Sequence, residues 1–361
     1  MSKKVVFLLP RLTGGGAERV SLTFLKGLLG RGYEIHLIAF SCDGLDAIGL
    51  PLEVKIHELG HSRLRSALSG LVSLLRRLKP NLVYSTHGYV NVPLILIRSI
   101  FVRQARLLLR EANTPSIAIR GQRFGAQIDW LYKRLYRKAD AIICQSSRMQ
   151  CELAENYYVP RRNLHLIYNP TDHMALRNCC RPERFPGDGV RFVAAGSLHY
   201  KKGFDRLIEW LARASFSGHL TIMGEGPQRS QLEARIRDLG LEAKVYLPGY
   251  VENPWNFIAG ADAFLLPSRW EGMPNVVLEA LACGVPAIAM AEAGGISDIK
   301  KMVAQEALVL CSDGTEFVSA MGAVVPRREK LAIGESLLPE AFEMNHGVGR
   351  FAQLVESVLE N

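Results

Sequence analysis

The chain has 361 residues, enough for about two domains at roughly 100 to 200 residues each. Hydrophobic residues make up 48% of it and charged residues 22%, which excludes intrinsic disorder and collagen-like repeats. Its seven cysteines form no CxxC motif and no cluster with histidine. This pattern excludes a disulfide framework and a structural zinc site, and it predicts reduced, cytosolic thiols.

The net charge of +9 is unevenly distributed. Residues 1–180 contain 26 Lys and Arg against 12 Asp and Glu, a charge of +14, whereas residues 181–361 carry −5. The first half therefore predicts an anionic partner, either a phosphorylated substrate or an anionic membrane surface. Nucleic acid is not predicted, because no basic-aromatic module is present.

Neither the start of the sequence nor its longest uncharged stretch has the pattern of a membrane-inserting segment, which predicts a cytoplasmic protein. The start, Met1 to Lys4 followed by a strand, lacks the apolar region of a signal peptide. The longest stretch without a charged residue, Pro80–Ile97, contains a histidine, two asparagines and a second proline. We therefore expect no membrane span, and any membrane contact should be peripheral, on the cytoplasmic face.

Short apolar runs alternate with helical periodicity, which predicts parallel sheets covered by helices. Strands are predicted at Lys4–Leu9, Glu34–Phe40, Leu82–Ser85, Arg106–Leu109, Ala141–Cys144, Val190–Ala195, His219–Met223, Lys244–Leu247, Ala263–Leu266 and Pro286–Met290. The segment 173–189 has neither periodicity and predicts a linker. We expect an α/β protein with two Rossmann-like domains, 1–172 and 190–345, facing each other across a cleft that holds the ligand.

Three glycines, Gly14 to Gly16, stand between the first strand and the first helix. Glycine allows close approach of the backbone to a ligand, and the N–H groups at a helix start favour anions. Arg19 occupies the sixth position of a GxGxxG pattern, and no Gly-Lys-Ser/Thr follows as in a P-loop. A tight turn without a ligand remains the alternative.

The segment from Pro267 to Pro286 follows a predicted buried strand and opens a helix near Pro274. Its first N–H groups, such as those of Asn275 and Val276, suit a phosphate. Glu271 and Glu279 flank that anion site, and ionised carboxylates accept hydrogen bonds from sugar and ribose hydroxyls. The alternative is a capped helix with two solvated glutamates.

A third loop, Gly196 to Gly203, also follows a strand and offers Lys202 to an anion. A solvated lysine at a helix start is its alternative interpretation.

The Glu271–Glu279 segment resembles the donor-site signature of family 4 glycosyltransferases, which are retaining, nucleotide-sugar-dependent enzymes of the GT-B fold. Other segments of the chain fit the family in the right order. They are Gly14–Val20, Ile167–Pro170, Lys202–Asp205, Gly224–Pro227 and Gly249–Val251. In this fold a terminal helix, here 347–360, is expected to cross back onto the first domain.

The resemblance implies a role for each matched residue. Glu279 would hold the ribose hydroxyls, Glu271 the transferred sugar, and Lys202 the leaving diphosphate. Val251 would lie near the base. Backbone approach to the sugar diphosphate is implied for the other matched residues, which are Gly15, Gly16, Gly272, Met273, Pro274, Asn275 and Val276. No Asp-x-Asp triplet is present, so we expect no metal and no cofactor.

Three departures from the family pattern affect these roles. Gly196-Ser197-Leu198 lacks a second cation for the diphosphate, and residues 294–298 differ from the usual Gly-Gly-Ile-Pro-Glu. A histidine frequent in the family after the strand at 106–109 is replaced, so Glu111 is the nearest catalytic candidate. His87 is the second, with a structural loop histidine as its alternative.

Residues 120–138 combine an apolar stripe (Phe124, Ile128, Leu131, Leu135) with Arg123, Lys133, Arg134, Arg137 and Lys138. This pattern is typical of a surface helix packed on its sheet, and it also suits a helix that lies on anionic lipid.

The resemblance predicts a glycosyltransferase that moves a hexosyl or N-acetylhexosaminyl group from a nucleotide sugar to a carbohydrate acceptor. A UDP-sugar is the expected donor, with a GDP-sugar as the alternative. A lipid-linked acceptor in cell-surface polysaccharide or lipopolysaccharide biosynthesis would suit the basic first half. The alternatives are a nicotinamide-dependent oxidoreductase, which Arg19 disfavours, and a non-catalytic sugar-nucleotide-binding protein.

Overall fold

The computed structural model describes residues 2–10, 12, 15–41, 50–61, 63–119, 124–182, 189–214, 217–326 and 335–360. The chain divides into two compact units. Met1–Pro170 with Asn345–Asn361 form the N-terminal domain, and Thr171–Met344 form the C-terminal domain.

The N-terminal domain contains a seven-stranded sheet in the order β3-β2-β1-β4-β5-β6-β7, in which every pair is parallel. Its strands are β1 (Lys3–Leu9), β2 (Tyr33–Ala39), β3 (Lys55–Glu58), β4 (Leu82–Thr86), β5 (Arg106–Arg110), β6 (Ala141–Cys144) and β7 (Leu164–Leu166). Its helices are α1 (Gly16–Lys26), α2 (Leu64–Leu78), α3 (Gly88–Phe101), α4 (Pro115–Ile119), α5 (Gly125–Leu135) and α6 (Ser147–Glu155). The inner strands β1, β4, β5 and β6 are nearly continuous apolar runs because helices cover both faces of the sheet.

The C-terminal domain repeats this arrangement with a six-stranded parallel sheet in the order β10-β9-β8-β11-β12-β13. Its strands are β8 (Val190–Ala195), β9 (Gly218–Met223), β10 (Val245–Gly249), β11 (Ala263–Leu266), β12 (Ala287–Met290) and β13 (Leu308–Cys311). Its helices are α7 (His173–Cys179), α8 (Phe204–Arg213), α9 (Arg229–Asp238), α10 (Trp255–Gly260), α11 (Asn275–Ala282), α12 (Ile296–Lys300) and α13 (Gly314–Gly322). Apolar residues recur in α8 at helical spacing, so they lie on one face of the helix. This face is buried and consists of Phe204, Leu207, Ile208 and Leu211.

Both sheets reverse their strand order at one place, between β1 and β4 in the first and between β8 and β11 in the second. In doubly wound sheets the loops that leave such neighbouring strands separate to opposite faces and open a crevice at the carboxyl ends. The loops after β1, β4, β8 and β11 carry most of the residues that the sequence singled out.

Helix α14 (Met344–Glu360) belongs with the N-terminal domain, although the whole C-terminal domain precedes it in the chain. Phe351 is fully buried there and stacks on Phe24 with ring centroids 4.4 Å apart. The N-terminal core is therefore completed by residues distant in sequence.

The predicted linker is wrong over its first part, because residues 173–179 form α7. The Asp172 side chain accepts a hydrogen bond from the N–H of Ala175 at 2.9 Å and so caps this helix. Arg177 donates to the carbonyl of Ala282 at 3.1 Å, which ties α7 to the C-terminal domain. Residues 183–188 of the predicted linker lie outside the described residues.

No helix in the described part of the chain is long and apolar enough to span a bilayer. The six described cysteines are all free, and Cys42 lies outside the described residues.

Candidate active site

Lys202 and Glu271 form an ion pair at the switch point of the C-terminal sheet. Lys202 ends a 3₁₀ turn after β8, and Glu271 lies in the loop after β11. The Lys202 Nζ lies 2.6 Å from Glu271 Oε1, which also accepts a hydrogen bond from the Ser268 hydroxyl at 2.8 Å. Two residues 69 positions apart, predicted to serve the same donor, are thus in direct contact.

Close backbone packing holds these two loops together. Gly203 has φ +71°, and a Cβ there would lie 2.0 Å from the carbonyl oxygen of Pro267. Gly294 has φ +66°, and a Cβ there would lie 2.0 Å from the carbonyl oxygen of Glu271. Only glycine fits both positions, which explains the first glycine of the loop of residues 294–298, whose last two residues depart from the family pattern.

The start of α11 differs in one detail from the sequence prediction. The N–H of Asn275 donates to the carbonyl of Met273 at 3.0 Å. This amide is therefore already hydrogen-bonded, whereas the sequence predicted that it would bind a phosphate. Gly272, Met273 and Pro274 are buried before the helix, whereas Val276 is half-buried in its first turn. The anion-binding capacity predicted for this helix start therefore cannot rest on Asn275.

Glu279, one turn into α11, is held by a residue that sequence reasoning missed. The indole N–H of Trp255, at the start of α10, donates to Glu279 Oε2 at 3.3 Å. Val251, which was assigned to the base, lies only four residues before Trp255. The glutamate predicted at the ribose is therefore in contact with a residue that follows closely, in sequence, the segment predicted at the base.

A second ion pair supports the Lys202 turn. The guanidinium of Arg269 makes two hydrogen bonds of 2.7 Å to the Asp205 carboxylate and lies 3.8 Å from the ring centroid of Tyr200. Arg269 also donates to the carbonyl of Tyr200 at 2.7 Å. Bidentate pairing of this kind fixes orientation. Asp205 stood within the matched Lys202–Asp205 segment, but its partner could be found only in three dimensions.

In the N-terminal domain, the glycine-rich turn is described from Gly15 onward, and Gly14 lies outside the described residues. Gly15 precedes α1, and a Cβ there would lie 2.5 Å from Glu18 Oε2. Burial acts to raise the pKa of Glu18, but hydrogen bonds from His87 and the backbone hold that pKa below its ordinary value. The anion at this helix start, where Gly16 is the first residue, is therefore the protein's own carboxylate.

His87 precedes α3 and has φ +105°, an uncommon value for a residue other than glycine. Its Nε2 lies 3.3 Å from Glu18 Oε1. Strained backbone of this kind clusters at functional sites, which favours the functional interpretation over that of a plain loop histidine.

Glu111, the residue after β5, lines a pocket of about 450 Å³ that also includes His87. The carboxyl is almost completely buried; its Oε1 accepts hydrogen bonds from Asn91 Nδ2 at 2.8 Å and from the Tyr136 hydroxyl. Burial raises the pKa of Glu111 to about 7, although the two hydrogen bonds and the nearby Arg110 oppose that shift. Near neutral pH this group can therefore exchange a proton.

Sequence reasoning missed the buried polar network around Arg110. This guanidinium is only 1% exposed and donates to Thr86 at 3.1 Å, Gln145 at 3.1 Å and Asn169 at 2.7 Å. Burial lowers the pKa of Arg110. Gln145 in turn donates to the carbonyl of Glu111 at 3.0 Å, so the network fixes the backbone that carries the Glu111 carboxyl. Of the residues in this network, the sequence analysis included only Asn169, which lies in the matched Ile167–Pro170 segment.

The helix predicted from residues 120–138 forms as α5. Ile128 and Leu131 pack against the core, and Leu135 is buried, as expected of a surface helix on its sheet. Phe124 and Trp130 are more than half exposed. Lys133, Arg134, Arg137 and Lys138 are all exposed, whereas Arg123 lies outside the described residues.

Two family models match the chain. The model described as "Glycosyltransferase Family 4" matches residues 14–174, and the model described as "Glycosyl transferases group 1" matches residues 181–331. The division between them falls beside the boundary of the two domains.

One relative in Campylobacter jejuni is N-acetylgalactosamine-N,N'-diacetylbacillosaminyl-diphospho-undecaprenol 4-alpha-N-acetylgalactosaminyltransferase. It is 29% identical over 316 residues, 83% of this chain and 83% of the relative. Among solved structures, Anabaena Alr3699/HepE in complex with UDP-glucose has a TM-score of 0.78 and 19% identity, and covers 98% of this chain and 99% of its own. The apo form of the lipopolysaccharide outer core galactosyltransferase WaaB has a TM-score of 0.74 and 19% identity, with coverage of 98% and 99%. These likenesses confirm the predicted fold, two Rossmann-like parallel-sheet domains of the GT-B class.

Proposed function

Because this chain belongs to the group 1 and family 4 glycosyltransferases, we propose that it transfers a sugar from a UDP-sugar to a carbohydrate on a lipid-linked acceptor, with retention of anomeric configuration. The product would belong to cell-surface polysaccharide or lipopolysaccharide biosynthesis. The relative from Campylobacter jejuni, whose name includes a sugar linked to diphospho-undecaprenol, supports this class of substrate.

The observation that carries this proposal is the contact between Lys202 and Glu271 beside the start of α11. A lysine and a carboxylate in contact offer opposite charges to one ligand: the cation suits a diphosphate and the carboxylate suits sugar hydroxyls. Glu279 stands on the same helix, held by Trp255, and is proposed to accept the ribose hydroxyls. Val251 would lie along the base.

In the proposed reaction, the bond between the anomeric carbon and the diphosphate oxygen breaks and charge develops on the leaving diphosphate. The acceptor hydroxyl oxygen forms the new bond to that carbon on the same face, and its proton passes to the diphosphate. Lys202 would stabilise that charge, and the start of α11 would add the partial positive charge of its backbone. Glu271 would then hold the sugar that remains. This proposal needs no metal ion.

The acceptor is proposed to bind the basic N-terminal domain, where Glu111 and His87 are the candidate groups for its reacting hydroxyl. The exposed basic residues of α5 and the following turn, with Trp130 beside them, would hold the domain against an anionic membrane surface at the cytoplasmic face. Such attachment would be peripheral.

A thermal-shift panel tests the donor proposal. UDP-, GDP-, ADP- and dTDP-sugars and NADH are compared, since a ligand that binds only the folded state raises the melting temperature. We expect a shift with UDP-sugars that is lost in Glu279→Ala and kept in Glu242→Ala, which changes an exposed glutamate of the same domain. A shift with NADH alone would contradict the proposal and favour the oxidoreductase alternative.

A further inference from the structure

The pocket beside Glu111 has the composition of a site for a ligand that is partly apolar. Its volume of about 450 Å³ lies within the range of small-ligand sites. Its aliphatic lining consists of Val92, Pro93, Ala112, Ala118, Ile119, Ile128 and Leu131. Polar groups enter the lining at His87, Glu111 and Asn113 and at the hydroxyls of Tyr89 and Tyr132. Such a site suits a compact ligand that carries both an apolar group and hydrogen-bonding groups.

The Glu111 carboxyl presents one oxygen to this pocket. Its Oε1 is occupied by Asn91 and Tyr136, whereas no residue in the described part of the chain donates a hydrogen bond to Oε2. A Cβ built on Gly88, which also lines the pocket, would lie 3.4 Å from Oε2 and 1.6 Å from the Tyr132 hydroxyl, and this hydroxyl is hydrogen-bonded to Tyr136. The buried carboxyl is thus oriented by its own domain and has an acceptor left for a ligand.

Two simpler ligands fit this pocket poorly. A sugar ring that carries only hydroxyls would place some of them against seven aliphatic side chains, where they would lose hydrogen bonds to water. An isoprenoid chain would cover the walls but would leave Oε2 of Glu111 buried without a donor. The ligand must therefore combine a small apolar group with an N–H or O–H donor beside it.

We propose that this pocket binds the acetamido group of a 2-acetamido sugar, with the acetyl methyl against the apolar walls and the amide N–H donated to Glu111 Oε2. His87 and Asn113 would meet the polar side of the same sugar. Glu111 is then a specificity-determining residue that distinguishes an acetamido sugar from its 2-hydroxy counterpart, and His87 is left as the candidate group for the reacting hydroxyl. The inference rests on the proposed sugar transfer and adds the class of sugar.

An acetamido group can come from the acceptor or from the donor sugar, so the test has two arms. The first arm uses the methyl glycosides of N-acetylgalactosamine and galactose, titrated at pH 8 in the presence of UDP and followed by saturation-transfer NMR. The second arm compares UDP-N-acetylgalactosamine with UDP-galactose. Both arms are run on the full chain, on Glu111→Gln, and on Glu155→Gln, which changes an exposed glutamate of the same domain.

We expect the wild-type chain to prefer the acetamido sugar about tenfold in one arm, with the strongest saturation transfer at the acetyl methyl. In Glu111→Gln the preference should fall to about threefold, because a neutral hydrogen bond is roughly half as strong as one to a carboxylate. Glu155→Gln should keep the full preference. Loss among methyl glycosides identifies the acceptor as the source, and loss among nucleotide sugars identifies the donor.

If Glu111→Gln is too unstable for the binding measurements, a second variant tests the same inference. Ala118→Leu fills the apolar side of the pocket and leaves the carboxyl in place, so it should abolish the preference while binding of the 2-hydroxy sugar persists. Equal wild-type affinity for both sugars, or an equal loss of both in the variants, would overturn the inference. Absence of any UDP-sugar binding would instead overturn the proposed function.

Discussion

The two domains share one sheet topology, yet they build their candidate sites in different ways. In the C-terminal domain, Lys202 and Glu271 meet through loops locked by glycine contacts, and their charges neutralise each other at 2.6 Å. In the N-terminal domain, Glu111 is a buried carboxyl without an ion-pair partner among the described residues, and its pKa is raised to about 7. Opposed charges suit a ligand that is itself charged, whereas a desolvated carboxyl suits recognition of a mostly neutral group.

The difference extends to total charge. The half of the sequence that contains the paired site carries −5, and the half that contains the buried carboxyl carries +14. The positive charge of the first half must therefore serve something other than the site predicted for UDP-sugar, since that site lies in the other half. The following predictions test this division of tasks, from the largest expected effect to the smallest.

Lys202→Ala should lower turnover about 100- to 1,000-fold and reduce donor affinity less, because the diphosphate needs the cation most in the transition state. Steady-state kinetics with varied donor concentration measure both terms. Lys301→Ala, an exposed lysine of the same domain, is the control. If turnover survives and only the apparent donor affinity falls, Lys202 is a binding residue.

The free energy of unfolding should decrease by about 2 to 3 kcal/mol between pH 5 and pH 8 because of Glu111. Burial raises its pKa to about 7 in the folded chain, so in this range the unfolded chain loses the proton first, and stability falls as pH rises. Denaturant titrations at each pH should show a smaller decrease in Glu111→Gln. If the free energy of unfolding decreases equally with pH in the two proteins, the pKa of Glu111 is not raised in the folded chain.

Glu279→Ala should weaken donor binding by about 1.5 to 3 kcal/mol, since a charge-assisted hydrogen bond to the ribose would be lost. Calorimetry with the nucleotide sugar measures the affinity. The midpoint of thermal unfolding without ligand should remain near that of Glu242→Ala. Unchanged affinity would remove Glu279 from the donor site.

Simultaneous charge reversal of Arg134, Arg137 and Lys138 should reduce binding to anionic vesicles about fivefold or more at physiological salt. Vesicle sedimentation measures this, and high salt should release the wild-type chain. The matched control reverses Arg213, Arg237 and Lys301 on the C-terminal domain. Equal binding to neutral and anionic vesicles, or none to either, would assign the charge to a soluble acidic acceptor.

EDTA should leave the transfer rate unchanged, because Lys202 and the helix start are proposed to stabilise the leaving group without a metal. The rate is measured before and after chelation and again with added magnesium or manganese. Loss of activity that either ion restores would overturn the metal-free proposal.

The sequence predicted the buried strands well because each is a contiguous apolar run. The bounds of β6, β8 and β11 are as predicted, whereas β3, β7 and β13 were missed. These three strands are only three or four residues long, lie at sheet edges and include partly exposed positions, so their apolar signal is weak. Helix α7 was missed because the prolines and glycines that follow it dominated the pattern.

The same contrast holds for the candidate sites. Lys202, Glu271 and Glu279 could be proposed from sequence because each lies within a few residues of a strand end or helix start. Trp255 on Glu279, and the Arg110 network beneath Glu111, depend on contacts between segments 24 to 59 residues apart. Hydrophobic periodicity carries no information about such side-chain pairs, so only the folded chain shows them.

Helix α14 gives the order of synthesis a physical consequence. The N-terminal domain lacks this helix until the 174 residues from Thr171 to Met344 have been made, which takes about 9 to 35 seconds at roughly 5 to 20 residues per second. Until then Phe24 has no partner in Phe351, and the apolar groove that α14 will fill faces solvent. The nascent chain therefore carries an unfinished domain on the ribosome throughout synthesis of the other, and chaperone capture or aggregation would compete with folding in that interval.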